Sequence, residues 1–323
     1  MQTELARIGT LIAGAKSLLL TMHPEPDGDA LGSAAALAGG LSRLGKRVEI
    51  YCPEEIPSRF LFMMDLAVVT TQPVALGVDV TVLLDCTDTR SISRLQWPRE
   101  RFGVVVALDH HETLHEFADH VYRDPKAAAA GLVVYRLCEA MGWEIDALMA
   151  QALYCAIVSD TGSFRYQNTS GEALRVAAEL VDRGVDPWRV SSNLAESRPA
   201  AHLHLLGRVL QTLEISGDGA VAFLRVDQKM LEDTGCDDDA TDGFINFARG
   251  IEGVEVAMLE RSQAKELRVS LRSRGRVDVA AFASGFGGGG HHNAAGFDTA
   301  LASSALRERL LYVVREEFAG ENG

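Results

Sequence analysis

Val104-Val105-Val106-Ala107-Leu108-Asp109-His110-His111 is five apolar residues followed at once by a carboxylate and two imidazoles. A strand that is apolar along its whole length suits a parallel sheet covered on both faces. The same pattern recurs. Residues 17–22 (SLLLTM) end at His23, and residues 80–84 (VTVLL) end at Asp85. Residues 48–51 form another short apolar strand, and residues 30–44 have helical spacing with a stop at Arg43 and Gly45. Strands alternating with helices predict an α/β domain with a mostly parallel sheet flanked by helices. In open sheets of this kind ligands sit beyond the carboxyl ends of the strands. His23, Asp85 and Asp109 to His111 therefore fall along one rim. Residues 151–159 read as a strand or a helix, and either delivers Asp160 at its C-terminal end.

The chain has 323 residues, a length suited to two domains. Hydrophobic residues make up 47% and charged residues 24%, as in soluble globular proteins. The formal net charge of −14 argues against coating long duplex nucleic acid, because that affinity comes from Lys and Arg neutralising phosphates. It leaves room for a short anionic substrate drawn in by cations and a local basic patch. No stretch approaches the ~18 uncharged apolar residues of a membrane span, so no membrane association is expected. Residues 8–22 are fairly apolar, but Glu4 precedes them, Lys16 interrupts them and no small-residue cleavage site follows. They read as a helix running into a buried strand rather than a secretory signal. The five cysteines (Cys52, Cys86, Cys138, Cys155 and Cys236) form no CxxC pair, which predicts reduced thiols and a cytoplasmic location.

Residues 182–199 are polar and carry Gly184, Pro187 and Pro199. The expected organisation is a catalytic domain over residues 1–186, a linker and helix over 187–213, and a smaller C-terminal α+β domain with a mixed sheet over 214–323. In the last, residues 220–226, 254–260 and 267–272 read as strands. Residues 275–287 include a short helix, residues 306–318 form a helix or pair as a strand, and residues 232–242 make an acidic loop around Asp237, Asp238 and Asp239.

In His23-x3-Asp27-x-Asp29, Pro24 and Pro26 stiffen the backbone and Gly28 permits a tight turn. Asp29 precedes a helix and could equally be its N-cap, and Asp85 after a strand also suits a turn. The run Asp109-His110-His111 is harder to explain by packing. Gathered at one rim, these carboxylates repel one another unless cations are bound. Carboxylates and imidazoles without thiolate favour Mn²⁺, Mg²⁺ or a similar ion over structural zinc. The number of candidate ligands suggests two metals sharing one carboxylate, an arrangement ~3.5–4 Å across that serves in-line phosphoryl displacement.

The C-terminal region offers Gly287, Gly288, Gly289 and Gly290 before His291, where consecutive backbone N–H groups can form an anion nest. Its flanks, Phe286 and Asn293 to Phe297, do not have a flexible linker's composition. Residues 261–276 hold six basic side chains (Arg261, Lys265, Arg268, Arg272, Arg274 and Arg276) and one acid, Glu266. On a strand Arg268, Ser270 and Arg272 share one face and Leu267, Val269 and Leu271 the other. A solvated edge strand would look similar. His115, His120 and His292 read as spectators on solvated faces, with substrate contact near the rim as the alternative for His115, and Cys86 reads as packing.

In this order the motifs H-x3-D-x-D, D, D-H-H, D-T and G-G-G-G-H resemble the DHH phosphoesterase superfamily with its DHHA1 domain. Within it they resemble the stand-alone bacterial oligoribonuclease (nanoRNase) and adenosine 3′,5′-bisphosphate (pAp) phosphatase subgroup. Residues 23–33, 83–88, 160–164 and 269–273 fit as well, so the likeness spans essentially the whole chain. The resemblance implies a first metal on His23, Asp27 and Asp85, and a second on Asp29, Asp85, His110 and Asp160, with Asp85 bridging. Asp109 would orient a ligand histidine. His111 would face the scissile phosphate, binding it or assisting the leaving oxygen. Arg272, Ser270, Gly288, Gly289, Gly290 and His291 would bind substrate. The cofactor is then two divalent ions, Mn²⁺ first, with Mg²⁺ or Co²⁺ as alternatives. The implied reaction is hydrolysis of short oligoribonucleotides to mononucleotides, or of pAp to AMP, by a hydroxide that the two metals activate. A homodimer is compatible with this. Competing expectations are a phosphodiesterase of linear or cyclic dinucleotides and a non-catalytic nucleotide-binding regulator, the latter disfavoured because every expected ligand is present.

Overall fold

The all-apolar runs lie at the centre of a six-stranded sheet. Its strands are β1 (Ser17–Thr21), β2 (Arg47–Tyr51), β3 (Val68–Thr70), β4 (Val80–Leu84), β5 (Val104–Asp109) and β6 (His120–Arg123). They pair in the order β3-β2-β1-β4-β5-β6, each pair parallel. Every residue of β1 and β4 is buried, which is why neither shows a polar alternation. The strand order reverses between β1 and β4, the position at which open α/β sheets form a ligand crevice. The computed structural model describes residues 2–66, 68–73, 77–86, 89–111, 118–196, 199–262 and 266–319. They fall into two compact units, residues 1–197 and 198–323.

Helices α1 (Gln2–Gly14), α2 (Gly28–Arg43), α3 (Arg90–Ser93), α4 (Ala130–Met141), α5 (Ala147–Asp160), α6 (Gly171–Asp182) and α7 (Pro187–Ala195) complete the first unit. The segment before Asp160 is thus helical. It is buried nearly all round, from Met149 to Val158 with Gln151 as the exception, and a helix without a polar face shows no 3.6-residue period to read. Helix α2 lies close against α5. A Cβ at Gly32 would run into the carbonyl oxygen of Ala152, and one at Gly28 into Ser159 Oγ. Gly28 is therefore required by helix contact and not by a turn. The N-cap of α2 is Asp27 rather than Asp29, its Oδ1 accepting from the N–H groups of Asp29 (2.9 Å) and Ala30 (3.0 Å).

The second unit carries β7 (Glu214–Ile215), β8 (Val221–Val226), β9 (Val256–Ser262), β10 (Leu267–Ser273), β11 (Gly289–His291) and β12 (Ala294–Thr299). They form a mixed sheet in the order β11-β12-β10-β9-β8-β7, in which only β8 and β9 run parallel. Its helices are α8 (Ala200–Leu210), α9 (Gln228–Thr234), α10 (Ile245–Arg249), α11 (Val279–Ser284) and α12 (Ser303–Ala319). Residues 187–213, expected as linker and helix, hold α7 and α8. Helix α9 takes up the start of the expected acidic loop, and residues 306–318 are helical. On one sheet face Val221, Phe223, Val269 and Leu271 pack with Leu306, Leu310 and Val314 of α12. On the other, Leu224 and Leu259 pack with Leu205 of α8 and with Phe244 and Ile245. Fully buried Glu260 joins the first face to α12, accepting from Ser303 Oγ (2.7 and 2.8 Å) and Arg307 (2.9 Å). Such a carboxylate is tolerable because it is paired and hydrogen-bonded.

Two expectations change here. The run Gly288 to Gly290 is not an open loop, since Gly289–His291 pair with β12 in a hairpin. Strand β10 lies between β9 and β12 and is not an edge. Its alternation is as read, with Val269, Leu271 and Ser273 buried and the residues between them half-buried.

Candidate active site

Five pieces of the first unit deliver polar side chains to one place. His23 follows β1, Asp85 follows β4, Asp109 ends β5 and continues into His110 and His111, Asp27 and Asp29 open α2, and Asp160 closes α5. His23 Nε2 lies 3.9 Å from Asp27 Oδ1 and 3.8 Å from Asp85 Oδ2. His110 Nε2 lies 3.3 Å from Asp85 Oδ1, 3.6 Å from Asp29 Oδ2 and 3.7 Å from Asp160 Oδ2. His111 Nδ1 is 3.4 Å from Asp85 Oδ1 and 2.7 Å from Asp109 Oδ1. Among the described residues three sets offer ligand atoms within 4.8 Å of one another: His23-Asp27-Asp85, Asp29-His110-Asp160 and Asp85-His110-His111. Asp85 belongs to two of them and faces both oxygens into the cluster.

The charges of this cluster are strongly perturbed. Burial raises the carboxyl of Asp29, and the Asp85 charge adds to it. Burial, against the pull of His110, pushes Asp160 up to about 7. Burial also opposes a charge on His110, yet Asp85, Asp29 and Asp160 outweigh it and push His110 up to about 11. Burial would raise Asp85, but His110, His111 and His23 hold it well below the usual carboxylate range. Positive charge is thus demanded between His110 Nε2 and the carboxylates, and protons supply it when no cation does.

A divalent cation fits the same place. Asp85 Oδ1 is buried and receives no hydrogen bond of acceptable geometry among the described residues, the condition that a bound ion relieves. His110 Nδ1 lies 3.1 Å from the carbonyl oxygen of Ala127. Donation there fixes the tautomer and leaves Nε2 for a metal. Asp85 itself has φ +50°, in the left-handed region that Asp and Asn enter more readily than most residues.

The supports of the site include residues that spacing did not reveal. Asp29 accepts from the backbone N–H of Ala130 (2.6 Å) and Gly131 (2.9 Å) and from Ser33 Oγ (3.2 Å). The start of α4 therefore neutralises part of its charge. Asn168 Nδ2 donates to the carbonyl oxygens of Ala128 and Asp160, both at 3.0 Å, and approaches Asp160 Oδ2 at 3.3 Å. Asp109 Oδ1 accepts from the His110 and His111 N–H groups and from His111 Nδ1. No motif signals Asn168. It lies in a polar stretch after Asp160 that reads as an ordinary loop.

In the second unit Arg268, Ser270 and Arg272 lie on one face of β10, and Gly289, Gly290 and His291 are exposed on the edge strand β11. Of the histidines read as spectators, His120 opens β6. His292 has a structural tie, its Nε2 3.0 Å from the carbonyl oxygen of Gly275 and its Nδ1 3.5 Å from Asp278. His115 lies outside the described residues, as do Thr87, Asp88 and Lys265.

Comparison with known proteins gives this geometry a family. Residues 17–157 match the N-terminal domain of the DHH family, and residues 217–319 match the DHHA1 domain. A bifunctional oligoribonuclease and PAP phosphatase, NrnA, of Thermus thermophilus is 36% identical over 93% of this chain and 90% of its own length. The protein of the same name from Bacillus subtilis is 27% identical over 92% of each. An exopolyphosphatase-related protein from Bacteroides fragilis shares the fold, with a TM-score of 0.88 over 98% of this chain and 96% of its own at 22% identity. Each of the two units thus matches a domain of one lineage, and the chain belongs to the DHH family of phosphoesterases.

Proposed function

We propose that the chain cleaves short oligoribonucleotides to mononucleotides and adenosine 3′,5′-bisphosphate to AMP, in the cytoplasm, with two Mn²⁺ ions. The observation that carries this reading is the place of Asp85, whose two oxygens face separate ligand sets. In it, His23, Asp27 and Asp85 hold one ion, and Asp29, Asp85, His110 and Asp160 hold the other. Bound divalent ions would lower the pKa of water and offset charge on the phosphoryl oxygens. Asp109 keeps the His111 ring oriented through Nδ1, so that the other ring nitrogen meets the scissile phosphate. The raised carboxyls of Asp29 and Asp160 support a site that is incomplete without cations.

Substrate is held by Ser270 and Arg272 of β10 and by Gly288, Gly289, Gly290 and His291. Three of the four glycines have local reasons. Gly287 has φ +78° and Gly290 φ +145°, while a Cβ at Gly288 would strike β12 at Gly296 and Phe297. Gly289 has neither constraint, with nothing within 4 Å of a Cβ built there, so close approach of an external group is the reason left for it. The substrate class follows the two NrnA relatives, whose names give both activities. Arg matches phosphate oxygens with paired donors, and a net charge of −14 favours short substrates over long nucleic acid.

The test is release of mononucleotide from a diribonucleotide and of phosphate from adenosine 3′,5′-bisphosphate, with Mn²⁺, Mg²⁺ or Co²⁺ added to metal-stripped protein. Turnover that needs a cation and disappears in Asp85→Ala supports the reading. Tight nucleotide binding without turnover under any cation would replace it with a regulatory role.

A further inference from the structure

Arg261 was not among the residues assigned to substrate, yet it is tied directly to one that was. Its guanidinium makes a fork. Nη1 donates to Thr241 Oγ1 at 3.1 Å, and Nη2 donates to Ser270 Oγ at 2.7 Å. Thr241 is buried, and its own hydroxyl donates to the carbonyl oxygen of Asp238 at 2.7 Å. Thr241 can therefore only accept from Arg261, and the fork is held in one orientation. At the other prong the direction of the bond matters more. A guanidinium has no acceptor, so Ser270 Oγ must receive, and its hydroxyl proton must go elsewhere. Among the described residues that proton has no acceptor.

The charges around Ser270 favour an anion as the missing acceptor. Arg261 stands directly opposite Arg268 on the neighbouring strand, a like-charged cross-strand pair that costs stability by itself. Asp298, opposite Arg268 on the other side, lies 3.4 Å from it. Arg272 continues the same face of β10. Arg261, Arg268 and Arg272 thus share one face of the sheet with Ser270, in a chain that is acidic overall.

We infer that Arg261 is a positioning residue for substrate phosphate: held by Thr241, it forces the Ser270 hydroxyl to donate outward to a phosphate oxygen of the nucleotide and sets a fixed positive charge behind it. This rests on the reading of Ser270 as a substrate contact and adds the group that makes Ser270 a donor. Lysine keeps the charge but cannot reproduce a planar fork that reaches two hydroxyls at once.

The experiment is a double-mutant cycle of Arg261→Lys and Ser270→Ala in the full-length protein with Mn²⁺, with Thr241→Val as a third variant. Binding is read by calorimetry with a 5′-phosphorylated, phosphorothioate-linked diadenosine, and KM and kcat with the natural dinucleotide. Each of the first two variants is expected to raise Kd and KM about tenfold, as loss of a charge-assisted hydrogen bond does, with kcat within about twofold. The double variant should be no worse than Arg261→Lys alone, because both act through one hydroxyl. Thr241→Val should fall between wild type and Arg261→Lys, and it supplies the read-out if Arg261→Lys does not fold. An unchanged Kd in Arg261→Lys, or losses that multiply in the double variant, would overturn the inference. Wild-type protein that binds the probe but turns over no dinucleotide would remove the proposed activity, and the binding cycle would still decide the role of Arg261. No binding of the probe by wild type would remove both.

Discussion

The backbone N–H of Ala130 donates to Asp29 Oδ2 at 2.6 Å, across 101 residues of sequence. Helix α4 has no side-chain cap of its own at Ala129, so a candidate metal ligand caps it instead. The neighbouring carbonyls serve the same cluster, Ala127 toward His110 and Ala128 toward Asn168, which in turn reaches Asp160. Three candidate ligands are therefore anchored by backbone groups of one short apolar segment. Ala130 is the first helical residue, a position that accepts proline, and Ala129 is extended as a residue before proline must be. Ala130→Pro should thus delete the N–H that Asp29 accepts while α4 persists by circular dichroism. Mn²⁺ affinity should fall about 10–100-fold, as for other losses around a metal ligand. Unchanged affinity in calorimetry would mean that this bond does not set the ligand.

Asn168→Ala should weaken the same site from the opposite side. Asp160 loses its amide donor and gains rotational freedom. A stability cost of about 1 kcal/mol is expected from the lost hydrogen bonds, with a drop in Mn²⁺ affinity of about tenfold or more. Asn168→Asp should be worse than alanine because it adds a carboxylate to a repulsive cluster. Thermal melts with and without metal separate the two effects, and equal affinities for wild type and Asn168→Ala would refute the assignment.

Metal-free protein should lose stability as pH rises. The carboxyl of Asp160 is pushed up to about 7 from 3.8 and His110 up to about 11 from 6.5. A group with a raised pKa stabilises the fold fully below its unfolded value, and that contribution is lost as pH climbs through the folded value. The windows are about 4 to 7 for Asp160 and about 6.5 to 11 for His110. With chelator present, Tm should therefore fall between about pH 5 and about pH 9. A divalent cation bound at the cluster would displace these protons, so any increase in Tm that Mn²⁺ produces should grow over the same interval. Calorimetry in buffers of different ionisation enthalpy should register proton release on binding. A metal-free Tm that climbs with pH would contradict the charge assignment, and Asp160→Asn should flatten the lower part of the fall.

Asp85→Asn should abolish turnover by more than the ~10–100-fold that loss of an outer supporting residue costs. It should also reduce the number of bound Mn²⁺ ions per chain, since the residue contributes to two ligand sets. The fold should survive, because asparagine tolerates the left-handed backbone found there. Asp85→Val should cost a further ~1–3 kcal/mol, the penalty of a branched residue in that region. Two ions retained in Asp85→Asn, measured by elemental analysis, would remove the shared-ligand argument.

How much of this was legible in the sequence depends on the kind of contact. The strands ending at His23, Asp85 and Asp109 were readable, because burial on both faces leaves an unbroken apolar run and the following polar residue stands out. The ligand candidates were readable for the same reason, and the structure brings His23, Asp27, Asp29, Asp85, His110 and Asp160 together. Helix α5 could not be told from a strand, because burial on almost every side erased its period. The cap of α2 was misplaced by two residues, since Asp27 and Asp29 are equally good caps by type. The glycines before His291 read as a loop because composition does not distinguish a loop from an edge strand lying tightly on its neighbour. Residues 127–131 act through backbone carbonyls and N–H groups, which every residue type carries and no letter marks, and the Asn168 side chain reaches the site through one of those carbonyls, which its spacing from Asp160 does not reveal.

The twist of the main chain at Asp85 narrows what chemistry the protein can acquire. Glutamate would fit the torsion poorly; asparagine fits it but forfeits the charge. Any drift toward a larger, softer or differently charged ion must therefore be absorbed by peripheral positions such as His23 or Asp160, which are less enclosed. The centre of the cluster is locked by geometry, and variation in cation preference across close relatives should be written around its margin.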